Sequence, residues 1–251
     1  MKKKVLMVDD DESVLALLTA TLERANYTTR CASNAKEVLK IISEDVYPVV
    51  ITDIVMPDMD GLSLLTKIKE ISPDTQVIMM TAFATIDSAI LALKNSATSY
   101  LRKPFDLDEL VAQTNKSFDK YQKLEDNKKL IEELRYAKEY NEKIIENLIY
   151  TLIVIDEQGN IKKINRAMED LLGYSQKDIV GQPALKIFTE AFKLNKWKEL
   201  LKEKKIKDFP VEFLAKDGNK ISDLFSGTLM RNSDGAVAGL IGTTKSQQKK
   251  V

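Results

Sequence analysis

The first 105 residues alternate short apolar runs with amphipathic stretches, and that alternation restricts the fold more than any other feature of this 251-residue sequence. Val5-Leu6-Met7-Val8 is apolar at every position, which suits a strand covered on both faces. Residues 12–25 then place Val14, Leu17, Leu18 and Leu22 at helical spacing. The same reading predicts a strand over 27–32, a helix over 33–44 and a strand over 49–52. A helix over 61–71 follows, closed by Ser72-Pro73-Asp74. Next come a strand over 77–80, a helix over 86–95 and a short strand at Tyr100-Leu101 before Pro104. Strict strand–helix alternation implies right-handed crossovers and a doubly wound, five-stranded parallel sheet of the α/β class.

Two residue counts exclude much chemistry. No histidine occurs anywhere, which removes His-based triads, haem held by a histidine and His-based metal sites. It also means that the chain cannot autophosphorylate on a histidine, so any phosphoryl group arrives from elsewhere. The single cysteine, Cys31, permits neither an intrachain disulfide nor a Cys-rich zinc site. The 38 basic and 38 acidic residues cancel, so nothing in the charge balance favours nucleic-acid binding as the main task. No apolar run approaches the roughly 18 residues of a membrane span. Met1-Lys2-Lys3-Lys4 is followed by only four apolar residues before Asp9, too few for a signal peptide. The cytoplasm is the expected compartment.

Beyond Pro104, Asp106-Leu107-Asp108-Glu109 has the form of a capping box. No glycine or proline then occurs until Gly159, and a single helix is expected over 106–147. A 3-4 spacing runs through Leu110, Leu124, Ile131, Leu134, Ile145 and Leu148, with polar Asn127, Lys138 and Asn141 between them. Two readings stand side by side: a weak coiled-coil seam, or a solvated connector.

From about residue 148 the pattern turns β-rich. Strands expected over 152–155 and 161–164 flank the turn Asp156-Glu157-Gln158-Gly159-Asn160. Asn165 is placed to cap a short helix over 166–172, and an amphipathic helix is expected over 185–204 around Trp197. Strands over 209–215, 221–230 and 236–243 are joined by hairpin-like Lys216-Asp217-Gly218-Asn219 and Asn232-Ser233-Asp234-Gly235. This predicts an α+β domain on a mainly antiparallel sheet.

In an open parallel sheet, sites form beyond the carboxyl ends of the strands. The polar residues there are Asp9, Asp10 and Asp11 after the first strand, Asp53 after the third, Thr81 after the fourth and Lys103 after the fifth. In a flavodoxin-like strand order the first and third strands flank the crevice, so their carboxylates converge. Such a set needs a hard divalent cation, and all-oxygen ligation suits Mg2+. Two carboxylates and a metal can activate a third carboxylate as a nucleophile, while a lysine and a threonine hydroxyl stabilise the acyl phosphate formed. Taken singly, each residue has a plainer account: an aspartate after a strand is commonly a helix cap, and Lys-Pro a surface turn. Placement at four strand ends together is what favours chemistry.

Val8-Asp9-Asp10-Asp11, Asp53-Ile54-Val55-Met56-Pro57 with Asp60-Gly61, Met80-Thr81-Ala82 and Tyr100-Leu101-Arg102-Lys103-Pro104-Phe105 resemble the response-regulator receiver family over residues 1–122. The resemblance implies Asp53 as phospho-acceptor and Asp9 and Asp10 as an acidic pair. It also implies Mg2+ held by Asp10, Asp53 and the Val55 carbonyl with Asp9 beside them. Thr81 becomes the switch hydroxyl, Lys103 the phosphate-contacting lysine, Tyr100 the switch aromatic, and Lys103-Pro104 a cis peptide. Asp11 is better assigned to helix capping. Ser96 stands where the family often has glycine.

Residues 142–246, with Asp156, Gly159-Asn160, Asn165, Gly173-Tyr174-Ser175 and Gly181, resemble the PAS family, which senses small ligands or dimerises. Which ligand, if any, is open. The residue counts exclude a His-ligated haem and a PAS cysteine for flavin attachment. Trp197, Phe188, Phe192, Phe209, Phe213 and Phe225 line a pocket on one reading and form ordinary core on the other. Thr244 stands where many PAS domains carry the aspartate of an Asp-x-Thr motif, and five residues follow Ser246.

Together these resemblances imply a non-enzymatic phosphorelay response regulator. A histidine kinase or phosphotransfer protein supplies the phosphoryl group, and the long helix carries the change to the PAS domain. A homodimer through the linker, the PAS domain or both is expected. The alternative is the N-terminal portion of a larger signalling enzyme, a hybrid histidine kinase or a nucleotide cyclase.

Overall fold

The computed structural model describes residues 3–57, 59–82, 97–189 and 205–245. The chain divides into two compact units, Met1–Glu133 and Leu134–Val251.

The first unit contains β1 (Lys4–Val8), α1 (Glu12–Arg24), β2 (Thr28–Ala32), α2 (Ala35–Glu44), β3 (Val49–Asp53), α3 (Gly61–Ile71), β4 (Gln76–Thr81) and β5 (Ser99–Arg102). The strands form one parallel sheet in the order β2-β1-β3-β4-β5. Alternate residues of the buried strands serve two cores. Leu6, Val8, Val50, Val77 and Met79 pack with α2 and α3 through Val38, Ile41, Leu64, Leu65 and Ile68. Val5, Met7, Ile51, Ile78 and Met80 pack on the other face with Leu15, Leu18 and Leu22. That two-sided burial explains why these strands read as continuous apolar runs.

Local chemistry sets the helix starts. Asp11 caps α1 by accepting the Ser13 N–H at 2.8 Å, the role expected for it. Asn34 caps α2 by accepting the Glu37 N–H, while the Glu37 carboxylate takes the Ser33 N–H, each at 3.0 Å. The helix therefore starts at Ala35, two residues later than expected. β2 begins at Thr28 because the Tyr27 N–H still bonds the Leu22 carbonyl at 3.0 Å and its ring is buried. The helix expected over 86–95, and Ser96, lie outside the described residues.

The next helix, α4 (Leu107–Glu146), runs 40 residues. Asp106 accepts the Asp108 N–H at 2.9 Å, so the cap bond falls one residue short of the expected Glu109. The coiled-coil seam needs correcting at its first member. Leu110 is buried with Phe118 in the sheet-side core, whereas Leu124, Ile131, Leu134 and Leu148 are exposed. The first turns of α4 are spent on the sheet, and packing rather than spacing decides which positions stay free.

The second unit adds β6 (Ile153–Asp156), β7 (Ile161–Ile164), α5 (Arg166–Leu172), α6 (Gln176–Ile179), β8 (Lys205–Leu214), β9 (Lys220–Arg231) and β10 (Val237–Thr244). These strands form an antiparallel sheet in the order β7-β6-β10-β9-β8. Its core holds Ile153, Ile155, Met168, Phe188, Phe213, Phe225 and Leu240. Gly242 lies beneath the Phe225 ring, where a Cβ would meet Cζ at 2.0 Å, so a smaller residue is the condition for that aromatic to be buried.

The helix expected over 185–204 does not begin as such. Ala184–Ile187 is a single 3-10 turn, and Phe188 is extended and bridges Phe213. Ile187 and Phe188, adjacent in sequence, are both buried, and Phe188 stacks on Phe213 at 5.0 Å. One helical face cannot bury two such neighbours equally. Residues 190–204, with Phe192 and Trp197, lie outside the described residues. Phe188, Phe213 and Phe225 are at most 1% exposed, which makes them packed core and not pocket lining.

Candidate functional site

β1 and β3 are neighbours, with Val8 opposite Thr52, so Asp9 and Asp53 leave adjacent strand ends together. This is the crevice where the strand order reverses. Asp9, Asp10 and Asp53 each offer a carboxylate oxygen, all within 4.8 Å of one another. Asp9 is buried, Asp53 half-buried and Asp10 exposed, so the cluster opens to solvent on the Asp10 side. Asp9 also accepts the Asp11 N–H at 3.0 Å.

Lys103 reaches into the cluster from the end of β5. Its Nζ lies 2.8 Å from Asp9 Oδ2 and 2.6 Å from Asp53 Oδ2. Burial alone would lower the lysine pKa. Hydrogen bonds to Asp53 and then Asp9, with their charges, outweigh that burial and hold it above the ordinary value. The Lys103 N–H donates to the Thr81 carbonyl at 2.7 Å, which ties the lysine's backbone to the end of β4. Lys103–Pro104 is cis, as expected. Thr81 is buried at that strand end, one residue past Met80, whose carbonyl takes the Ile54 N–H at 2.9 Å. Tyr100 is separate: it stands on the edge strand β5 opposite Met79 and is 43% exposed.

The β3–α3 loop is held tightly against Asp53. The Val55 N–H donates to Asp53 Oδ1 at 3.4 Å, so the Val55 peptide borders the carboxylate. The Thr52 hydroxyl donates to the Asp53 carbonyl at 2.9 Å. Gly61 begins α3 with its N–H on the Ile54 carbonyl at 2.8 Å, and a Cβ there would meet the Asp53 carbonyl oxygen at 2.2 Å. Gly61 thus positions the backbone of Asp53. Asp60-Gly61 does not show this role in the sequence, where the one signal is a glycine opening a helix that Asp60 already caps.

Three carboxylates with one ammonium group carry a net negative charge, and all the donors are hard oxygens, which fits a hard divalent cation such as Mg2+. Residues 5–115 match the family model of the response regulator receiver domain, and residues 139–245 match that of the PAS fold. The chain carries a receiver domain followed by a PAS domain. Receiver domains bind Mg2+ through such an acidic cluster, and their presence places the chain in two-component phosphorelay signalling.

Among curated proteins, the DNA-binding transcriptional regulator NtrC of Proteus hauseri is 42% identical over 120 residues, 48% of this chain and 25% of that protein. The chain therefore spans about a quarter of the length of the curated relatives it matches. A solved beryllofluoride-activated NtrC4 receiver domain dimer is 39% identical over 47% of this chain and 98% of that one, with a TM-score of 0.46. A structure titled adenylate cyclase, from Rhodopirellula baltica, is 25% identical over 53% of this chain and 98% of that one, with a TM-score of 0.50.

In the PAS domain, Asn165 joins three segments. Its Oδ1 accepts the N–H groups of Leu152 at 2.8 Å and Met168 at 3.1 Å, while its Nδ2 donates to the carbonyls of Ile145 at 3.2 Å and Tyr150 at 2.9 Å. From the sequence only its cap on α5 is legible. Glu146, the last residue of α4, accepts the Arg166 N–H at 3.1 Å and Gln176 Nε2 at 3.0 Å. Thr244 is buried, and its N–H donates to Thr151 Oγ1 at 2.8 Å. Among the described residues, a cavity of about 280 Å3 is lined by Ile155, Asp156, Gly159, Val237 and Leu240. No helix among them is long and apolar enough to cross a membrane.

Proposed function

We propose that this chain is the receiver–PAS portion of a phosphorelay response regulator. Asp53 accepts a phosphoryl group from a histidine kinase or phosphotransfer protein, and the change passes along α4 to the PAS domain. The observation that carries the reading is the convergence of Asp9, Asp10, Asp53 and Lys103 Nζ beyond the carboxyl ends of β1, β3 and β5.

In this reading an Asp53 carboxylate oxygen attacks phosphorus. The new P–O bond forms as the bond from phosphorus to the donor's imidazole nitrogen breaks, and that nitrogen leaves with the electron pair. Lys103, already on Asp53 Oδ2, moves its charge onto a phosphoryl oxygen, and the Thr81 hydroxyl donates to another. Asp10, Asp53 and the Val55 carbonyl would hold Mg2+ with Asp9 beside them, and the bound ion offsets the charge of the incoming group. Tyr100, exposed on β5, is the aromatic whose setting changes. The catalysis is limited to self-phosphorylation and self-dephosphorylation.

The relay is supported by the end of α4, whose last residues bond to α5 and α6 through Asn165 and Glu146. PAS domains commonly dimerise, and a homodimer through α4, the PAS domain or both is the working unit in this reading. The cavity beside Asp156 is open to a small ligand of undetermined chemistry. DNA binding ranks low because the net charge is zero, and a salt-dependent mobility shift on DNA would revive it.

Acetyl phosphate with Mg2+ tests the acceptor: intact mass should show one phosphoryl adduct on the wild type and none on Asp53→Asn. Equal modification of both sinks the assignment. Hydrogen exchange on the same samples should show altered protection in 161–176 after phosphorylation. Asn165→Asp keeps the α5 cap but loses both donors toward Ile145 and Tyr150, so it should keep the receiver response and lose the PAS one.

A second reading is the front portion of a larger signalling enzyme, a hybrid histidine kinase or nucleotide cyclase. The structure titled adenylate cyclase, matched through the receiver portion of this chain, motivates it. ATP-dependent autophosphorylation or cyclic-nucleotide formation by the full-length protein isolated from its source establishes the second reading, and the absence of both leaves the first.

A further inference from the structure

The second half of α4 presents apolar side chains to solvent. Leu130, Leu134 and Ile144 are 54%, 62% and 46% exposed, far beyond what a connecting helix needs. They fall on one stripe. Asn127, Leu130, Leu134, Ala137, Asn141 and Ile144 are separated alternately by three and four residues, a heptad with Asn127, Leu134 and Asn141 at a and Leu130, Ala137 and Ile144 at d. All six are exposed in the single chain.

The flanking positions identify what covers this stripe. In a parallel, in-register pair, each g residue meets the e residue five positions on in the other copy. Glu133 at g then faces Lys138 at e, twice per pair by symmetry, and Tyr140 at g faces Ile145 at e. The rival register, through Leu124, Ile131, Lys138 and Ile145 at a, would bury Lys138 and set Lys123 against Lys128. It would also draw on Lys128, which is ion-paired with Asp74 within its own receiver unit. The asparagines sharpen the choice: an Asn at a bonds its own counterpart only when two copies run parallel and in register.

We propose that the stripe from Asn127 to Ile144 is the contact surface for a second copy of this chain, in a parallel, in-register two-stranded coiled coil. Leu130, Leu134, Ala137 and Ile144 form its seam, Asn127 and Asn141 fix the register, and Glu133 pairs with Lys138 of the other copy. This rests on the homodimer reading above and adds orientation, register and contact residues to it.

The test uses the full chain with Cys31→Ser, so that no native thiol remains. Leu130→Cys and Ile144→Cys are made singly, and each is oxidised with diamide. Each variant should form a disulfide-linked homodimer by itself, because a d residue meets its own counterpart within disulfide reach in a parallel pair. Glu133→Lys should weaken association by roughly fivefold to tenfold, and adding Lys138→Glu should restore it. If neither single variant cross-links but a mixture of the two does, the pair is antiparallel and the proposal is overturned while the homodimer stands. A monomer in light scattering, with and without beryllofluoride and Mg2+, overturns both. Failure of the charge swap to rescue Glu133→Lys rejects the Glu133–Lys138 pairing and the register it defines.

Discussion

Replacing Gly61 by alanine tests whether the receiver site depends on the close approach of α3 to β3. The added Cβ would lie 2.2 Å from the Asp53 carbonyl oxygen, 2.9 Å from Met79 Cε and 3.0 Å from Ile54 Cα. Met79 has a flexible end that can turn aside, but the carbonyl is backbone. The two segments must part by about 0.8 Å to bring that contact even to 3.0 Å. Overpacking of this kind costs about 1–3 kcal/mol. Stretching the 2.8 Å bond from the Gly61 N–H to the Ile54 carbonyl adds about 1 kcal/mol. The expected loss of receiver stability is therefore about 2–4 kcal/mol. Because the displaced atom belongs to Asp53 itself, phosphorylation by acetyl phosphate should slow by roughly 10- to 100-fold, the penalty of misplacing a reacting group by about 1 Å. Urea titration of the full chain, read by hydrogen exchange in 4–53, measures the first quantity, and intact-mass time courses the second. Gly218→Ala is the control: its φ is +86° with open space around it, so it should cost about 1 kcal/mol in the PAS domain and leave phosphorylation unchanged. Receiver stability within about 0.5 kcal/mol of wild type, with an unchanged rate, would refute the positioning role.

Two further outcomes follow from the charges. Asp10→Asn removes one of three carboxylates crowded within 4.8 Å, so without divalent cation it should raise the receiver's melting temperature while abolishing the further rise caused by Mg2+; calorimetry with and without Mg2+ reads both. At alkaline pH the receiver should weaken. Burial and the Asp119 charge push the Tyr27 phenol up to about 12, so the unfolded chain releases this proton first, near pH 10. Stability from this group is complete below pH 10 and lost as pH rises toward 12, by about 2 kcal/mol, and Lys103, also held above its ordinary value, loses its contribution in the same direction as pH rises. Tyr27→Phe should flatten the urea midpoint between pH 10 and pH 12, and an unchanged slope would count against the buried phenol.

Much of the receiver was legible in sequence because its signals are local. A strand buried on both faces reads as an apolar run, and a residue that ends a strand or caps a helix announces itself by type. Asp11 capping α1, Gly61 opening α3 and Asn165 opening α5 stand where their neighbours predicted. The failures share a cause. Leu110 looks like a seam residue until α4 is laid on the sheet, and Ile187-Phe188 looks helical until both side chains are seen buried beside Phe213. Periodicity states which residues share a face; it does not state what that face meets.

By itself, then, the sequence determined the alternating α/β and β-rich halves, the long uninterrupted helix and the identity of the polar residues at each strand end. The missing histidine also means that these 251 residues hold no phosphohistidine donor of their own. Only the tertiary structure decided that Lys103 spans Asp9 and Asp53, that Gly61 carries no side chain because the Asp53 carbonyl occupies its place, and that Asn165 binds the end of α4 to the PAS domain. The reason is one of range. Dihedral preference and burial period act over a few residues, whereas these contacts join groups 8 to 94 positions apart and exist only once the elements pack together.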